Sequence, residues 1–165
     1  MKKITFIAVL LTSLLFLSKR SDAQDYKTAV GLKFGGYENG FSIKHFTNST
    51  VALEGILGIR NHGVVITGLY ELHQEAFNVP ALKFYYGFGA HLGAIGSGTY
   101  KRFNGDDTYY DDNRILLGAD GVLGLEYTIP DSPIAISLDL NPRVELATGP
   151  YFDLAPGLGL KYVFK

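Results

Sequence analysis

Residues 82–95, LKFYYGFGAHLGAI, alternate between two kinds of side chain along their length. The even-numbered positions are apolar or aromatic, with Phe84 and Phe88 among them, whereas the odd-numbered positions include Lys83, His91 and three glycines. Successive side chains of a β-strand point to opposite faces, so a period of two indicates a strand with two different surfaces. The segment therefore predicts a strand with one apolar face and one polar, sparsely filled face.

The same period recurs along the chain and predicts eight strands, at residues 26–34, 40–46, 50–60, 64–73, 82–95, 115–127, 134–141 and 151–164. Gly, Asn, Ser and Pro residues separate these segments, and they are the residues that favour turns. No internal repeat or linker divides the region. We therefore expect a single antiparallel sheet of consecutive strands.

The direction of the two faces decides the class of protein. On the five clearest strands the apolar phase carries no charge, while the opposite phase combines charged residues with many glycines. Eight strands enclose a narrow interior, which suits small residues and a few charges better than stacked aromatic rings. The apolar face is therefore expected to point outward to lipid, where only a closed barrel leaves no unpaired strand edge. We predict an all-β, eight-stranded antiparallel up-and-down transmembrane β-barrel.

The inward face is predicted to hold a polar network that fills the barrel. Charges enclosed in a narrow lumen need partners to offset their desolvation. This favours a plugged interior over an ion path or a wide pore. The predicted members are Lys27, Lys33, Lys44, Glu54, Arg60, Glu71, Lys83, His91, Asp120, Glu126, Asp139, Arg143, Asp153 and Lys161.

Aromatic residues of the outward phase are expected to form two belts at the membrane interfaces. The inner belt is predicted from Tyr26, Tyr70, Phe84, Tyr127, Tyr162 and Phe164, and the outer belt from Phe34, Phe41 and Phe152.

The first 23 residues have the layout of a secretory signal peptide. Lys2 and Lys3 precede an apolar run over residues 4–17, and small residues follow at Ser21 and Ala23. Cleavage after Ala23 would leave residues 24–165 as the barrel domain, exported to the outer membrane of a Gram-negative cell.

Cysteine is absent, so disulfides cannot stabilise the exported chain. The net charge of −1 argues against a nucleic-acid partner.

Residues 96–114 form one long connection, which is predicted to lie on the outer side. It contains paired acids and tyrosines, including Asp106-Asp107 and Tyr109-Tyr110. Its spacing does not match a calcium-binding EF-hand loop. Any surface partner is expected to bind this loop, and no metal site is predicted.

The final strand carries Leu158-x-Leu160-x-Tyr162-x-Phe164, and here the chain resembles small OmpA/OmpX-like outer-membrane β-barrel proteins, especially the Bacteroidota type. The resemblance covers essentially residues 24–165. It implies contact with outer-membrane lipid and recognition of the last strand by the barrel-insertion machinery. Lys165 departs from the pattern, because an aromatic residue usually ends such chains. The resemblance implies no particular activity.

Some small barrels of similar size are lipid A hydrolases or acyltransferases, so catalysis is the first alternative. A serine nucleophile needs a base within hydrogen-bond reach. Ser42 and His45 fall on opposite faces of one strand, and Ser137 shares its face with Asp139 but with no histidine nearby in sequence. We predict no enzyme, no catalytic residue and no cofactor. A soluble lipocalin-like carrier with an inward apolar pocket is the second alternative.

Overall fold

The computed structural model describes residues 26–36, 38–60, 62–100 and 107–164. The expected signal peptide, its cleavage site and the loop residues Asn104 to Asp106 lie outside this part of the chain. Ten strands are described: β1 (Thr28–Gly35), β2 (Asn39–Phe46), β3 (Val51–Arg60), β4 (Gly63–Ala76), β5 (Val79–Ile95), β6 (Gly98–Tyr100), β7 (Thr108–Tyr110), β8 (Arg114–Thr128), β9 (Ile134–Glu145) and β10 (Tyr151–Phe164). Among the described residues, no helix is long and apolar enough to cross a membrane.

Eight of these strands close into one antiparallel barrel, in the order β1-β10-β9-β8-β5-β4-β3-β2. Chain neighbours pair with each other, and β1 pairs with β10 from Thr28 opposite Phe164 to Gly35 opposite Gly157. The predicted up-and-down eight-stranded barrel is therefore confirmed as the fold. We call the end with residues 26 and 164 the turn end, and the opposite end, with the connection between β5 and β8, the loop end.

Two connections differ from the sequence prediction. Residues 74–81, which separate two of the predicted strands, do not form a long turn, because β4 and β5 continue into this segment and leave only Phe77 and Asn78 between them. Residues 96–114 are not an irregular loop, because β6 and β7 pair as a separate two-stranded hairpin. This hairpin is held at the loop end, where the Tyr100 hydroxyl donates to the carbonyl of Gly96 at 2.7 Å.

The side chains point as the alternation predicts. Phe88, near the middle of β5, is 68% exposed, and Leu123 and Leu158 are exposed as well. Lys33, Glu54 and Asp120, which belong to the opposite phase, are buried. The apolar belt on the outer wall is formed largely of Leu, Ile, Val and Phe. The described interior is thus the charged face of the sheet rather than the apolar pocket that a lipocalin-like carrier requires.

Candidate functional site

The barrel interior is the candidate site, and it contains apolar clusters near both ends and between the ends. At the turn end Tyr26 and Phe46 pack with small residues of β1, β3 and β9 and with Val163. At the loop end Val65, Ile95 and Leu116 pack beneath Tyr100 and Tyr110 of the hairpin. A further cluster comprises Ile56, Leu69, Tyr85 and Val122. Charged side chains are buried among these apolar groups.

Lys44 lies at the centre of the larger ionic cluster. Its Nζ is 2.8 Å from Glu71 and 3.1 Å from both Glu54 and Glu126, and its side chain is 0% exposed. The ammonium also lies 4.3 Å from the centre of the Tyr85 ring. β2, β3, β4 and β8 each contribute one of these charged groups, so one lysine connects four strands across the lumen.

Neighbouring polar groups complete this cluster. Lys161 from β10 lies 2.9 Å from Glu54, and the hydroxyls of Ser42 and Tyr26 donate to Glu54 and Glu126, respectively. Excess acid around Lys44 is thereby compensated by a second cation and by two hydroxyl donors. Without these partners, carboxylates buried at this depth would be strongly destabilising.

Asp139 lies between the two ends of the lumen. Its carboxylate is 3.1 Å from Lys33 Nζ and accepts a hydrogen bond of 2.7 Å from the Tyr85 hydroxyl. Small residues make room for these groups: a Cβ added to Gly124 would collide with Tyr85, and one added to Gly157 would collide with Asp139. The glycine-rich inner phase therefore admits large polar side chains into a narrow barrel.

A second ionic cluster lies at the loop end, where two arginines bind acidic side chains. Arg143 Nε donates to Asp120 at 2.6 Å, while its terminal nitrogens donate to Glu38 at 3.1 and 3.3 Å. Arg60 Nε donates to the same Glu38 carboxylate at 3.0 Å. Burial alone would raise the pKa of Glu38, but Arg143 and then Arg60 favour the ionised form and lower it below its ordinary value. Glu38 thus joins the β1–β2 turn to two strands of the wall.

His91, on β5, connects this ionic cluster to Glu145 of β9. Its Nδ1 lies 2.7 Å from Asp120 and its Nε2 lies 3.0 Å from Glu145. Glu145 also accepts the backbone N–H groups of Leu117 and Ala147 at 2.8 and 3.2 Å. Both ring nitrogens therefore face carboxylates, and the acids are fixed in turn by backbone and arginine donors.

Most predicted members of the polar network are buried, but three differ in placement. Lys27 is exposed, because it precedes β1 and lies beyond the end of the ladder. Lys83 is half-buried with its ammonium 5.3 Å from the Phe46 ring centre, and Arg60 is partly covered at the end of β3. Asp153 is buried near the loop end, where it accepts the N–H of Leu154 at 3.0 Å.

The aromatic belts need two corrections. Tyr26 was expected on the outer wall but is buried, because it precedes the first ladder pair and turns into the lumen to reach Glu126. Tyr70 lies beside Phe88 halfway along the wall, with ring centres 5.6 Å apart, rather than at the inner rim. The remaining predicted belt residues are exposed or half-buried.

Sequence reasoning missed several interior residues. Glu145 continues the inner phase of β9, but the predicted strand ended at residue 141. Tyr85 and His73 also occupy inner positions and could have been found from the alternation. Glu38 lies in a turn, where no period of two exists to place it.

The interior contains few groups arranged for catalysis. Ser42 donates to Glu54, and Ser137 Oγ is buried with no hydrogen-bond partner. His45 is exposed and contacts Thr28, on the other face of β2 from Ser42. In the described residues, no group of three or more His, Asp or Glu side chains has the arrangement of a metal site. The geometry supports electrostatic cross-linking of the wall.

The sequence matches no protein-family model and no curated protein. Among solved structures, the chain is similar to the N-terminal β-barrel domain of OprF from Pseudomonas aeruginosa, with a TM-score of 0.61 and 18% identity. The match covers 84% of this chain and 100% of that domain. At this identity the likeness shows the fold, and at that level it agrees with the expected resemblance to OmpA-like barrels.

Proposed function

We propose that this chain is an integral outer-membrane β-barrel protein with a sealed, ion-paired interior and a non-enzymatic role in envelope structure or surface contact. The observation that carries the proposal is the reversal of ordinary burial. Phe88 is 68% exposed on the wall, whereas Lys44 is enclosed. Soluble proteins rarely expose large contiguous apolar patches, and charged residues are rarely fully buried unless paired.

The interior supports a structural role rather than conduction. Apolar side chains pack at both ends of the lumen, and a small cavity of about 30 Å³ near Glu38 and Thr67 has room for about one water molecule. A continuous aqueous path would require the Lys44 and Arg143 clusters to separate. We therefore expect no steady ion conductance from the protein in planar lipid bilayers.

The membrane assignment is tested by two arginine substitutions at aromatic positions of similar exposure. Phe88 is 68% exposed on the wall, and Tyr109 is 65% exposed on the loop-end hairpin. In a bilayer, Phe88→Arg should cost about 2–4 kcal/mol of folding free energy, the range for arginine on a lipid face at the midplane. Tyr109→Arg should cost little, since it lies in water.

Both variants are expressed with the complete chain, and outer-membrane fractions are analysed by electrophoresis with and without heating. We expect a heat-modifiable, detergent-requiring wild type, a depleted Phe88→Arg variant and a normal Tyr109→Arg variant. A wild type that stays in solution without detergent would contradict the proposal.

The non-enzymatic part of the proposal is tested separately by mass spectrometry of lipid A from strains with and without the gene. Identical masses are expected. A change in acyl-chain number would instead establish the lipid-modifying alternative, with His91 and its two carboxylates as the first residues to substitute.

Two partners follow from the proposed location. The barrel-insertion machinery would recognise β10 and its alternating Leu158, Leu160, Tyr162 and Phe164, which are exposed or half-buried on the wall. A surface partner would meet the hairpin in the connection 96–114, where Tyr109 is exposed. Replacing Phe164 by Asp should reduce the amount of folded protein in the outer membrane, whereas Tyr109 variants should not.

A further inference from the structure

An apolar groove lies on the outer wall where β8, β9 and β10 pass beside the tip of the β4–β5 hairpin. Its volume is about 730 Å³, within the range of about 300–1,000 Å³ that small-molecule sites occupy. Asp139 is the charged residue among those lining it, and its carboxylate is already engaged by Lys33 and Tyr85. The principal side chains of the groove are Phe77, Phe84, Leu123, Leu138, Leu140 and Pro156.

The wall beside this groove lacks regular strand pairing. Between β8 and β9 the ladder runs from Gly118 to Asp120, stops, and resumes at Leu123. The Leu146 N–H donates to the Leu117 carbonyl, and hydrogen-bonded pairs recur every second residue, so Gly121 and Pro142 occupy a hydrogen-bonded position. Pro142 has no N–H to donate, and proline is otherwise confined to edge strands and bulges.

Phe77, which overhangs one side of the groove, has an unfavourable backbone conformation. Phe77 and Asn78 form the two-residue turn between β4 and β5 with φ values of 55° each. Asparagine tolerates this region, whereas a bulky residue such as phenylalanine rarely adopts it. Phe77 is 82% exposed and gains little from packing within its own chain. Residues with backbone strain of this kind cluster at functional sites such as ligand clamps.

We propose that the groove binds one acyl chain of a membrane lipid, between Phe77 and Pro156. The inference rests on the proposed function, which places the groove in hydrocarbon as part of the apolar belt. Its lining offers no uncompensated charge among the described residues, so the tail and not the headgroup is recognised. A protein partner fits less well, because a stable interface buries at least about 1,000 Å², which is more surface than the few side chains of this groove provide.

The test is native mass spectrometry of the full-length protein, folded into phospholipid vesicles and then transferred to mild detergent. The wild type should retain one phospholipid per barrel, equally from phosphatidylethanolamine and phosphatidylglycerol vesicles. Leu138→Trp fills the groove, and the retained fraction should fall about tenfold, equivalent to about 1.4 kcal/mol. Leu53→Trp is the matched control, because Leu53 is an exposed leucine of β3 outside the groove.

A second variant, Phe77→Gly, relieves the backbone strain and removes the overhanging ring, so it should retain less lipid while remaining folded. Heat-modifiability on gels reports membrane folding independently of lipid retention. Inserted barrels that retain no lipid, or that retain it equally after Leu138→Trp, would overturn the groove proposal alone. Dimers in place of bound lipid, or retention of only one headgroup class, would also overturn it. Failure to insert would overturn the proposed function and the groove together.

Discussion

At the scale of single residues, Lys44 is expected to be the side chain whose loss costs most. Its ammonium lies within 3.1 Å of Glu54, Glu71 and Glu126, and it is fully enclosed. Lys44→Met keeps most of the side-chain volume but leaves three buried carboxylates without their shared cation. Breaking a buried ion pair in this way costs about 3–5 kcal/mol.

Urea unfolding of the protein in lipid vesicles measures this loss. The control is Lys27→Met, because Lys27 is exposed and should contribute little. Equal stability of the two variants would show that the Lys44 cluster does not hold the barrel together.

Glu38 gives the barrel a specific dependence on acid. Its pKa in the folded protein lies below the ordinary value of 4.5, because Arg143 and Arg60 more than offset the effect of burial. A lowered folded pKa means that Glu38 contributes stability above its ordinary pKa and loses that contribution as the pH falls through the folded value. Glu38→Gln should therefore destabilise the protein at neutral pH and have no effect well below pH 4.5.

Unfolding midpoints at several pH values check this prediction. Asp112→Asn serves as the control, since Asp112 is an exposed acid on the same end of the barrel. A Glu38→Gln effect that persists unchanged into acid would contradict the assigned role of the carboxylate.

The sequence predicts the residues of the candidate site better than it predicts their partners. Alternation places Lys44, Glu54 and Asp120 on the inner phase without any structural information. It does not reveal that Lys44 meets Glu71 and Glu126, because those contacts cross the lumen between strands that are distant in sequence. Glu38 could not be found by this route, since a turn residue has no strand phase.

At the scale of elements, Pro142 is expected to weaken the pairing of β8 with β9. Pro142→Ala supplies an N–H opposite the Gly121 carbonyl, so it should restore one ladder bond worth about 0.5–1.5 kcal/mol. Pro130→Ala is the matched control, because Pro130 lies in the exposed turn between β8 and β9. Both variants lose the restraint that proline places on the unfolded chain, but only the first can gain a bond in the sheet.

The difference between the two unfolding free energies isolates the restored bond. We expect Pro142→Ala to be the more stable variant, with slower amide hydrogen exchange at residue 142 than at residue 130. Equal stabilities would indicate that Gly121 finds another donor in the wild type.

Strand positions followed from the period of two, but strand ends did not. β4 and β5 extend to Phe77 and Asn78 although residues 74–80 contain a proline and polar residues typical of a turn. The register of the β4–β5 pairing shifts between Glu75 and Ala76, and the two strands remain paired beyond this shift. Such a bulge depends on the pairing of two strands and has no signature in either strand alone. The β6–β7 hairpin is similar, since its strands are three residues each.

At the scale of the whole molecule, the direction of the two faces could be predicted because it depends on the volume available inside the barrel. Bulky apolar residues fill one phase of nearly every strand, and the lumen of eight strands has no space for all of them. The same constraint makes the inner phase rich in glycine. Closure between β1 and β10 could be predicted, because a sheet in lipid can leave no backbone group of a strand edge unpaired. Which residues of β1 pair with which residues of β10 could be learned only from the structure.

Contact between the apolar wall and hydrocarbon is the feature on which the membrane location depends most. The chain contains no cysteine, so single cysteines can be introduced and spin-labelled without background. Labels at the outward positions Phe84, Tyr86, Phe88, Ala90 and Leu92 of β5 would be compared in vesicles for collision with oxygen, which enters lipid, and with a water-soluble nickel complex. We predict high oxygen and low nickel accessibility at all five positions, with the largest difference between the two near Phe88. High nickel accessibility along the whole series would contradict it.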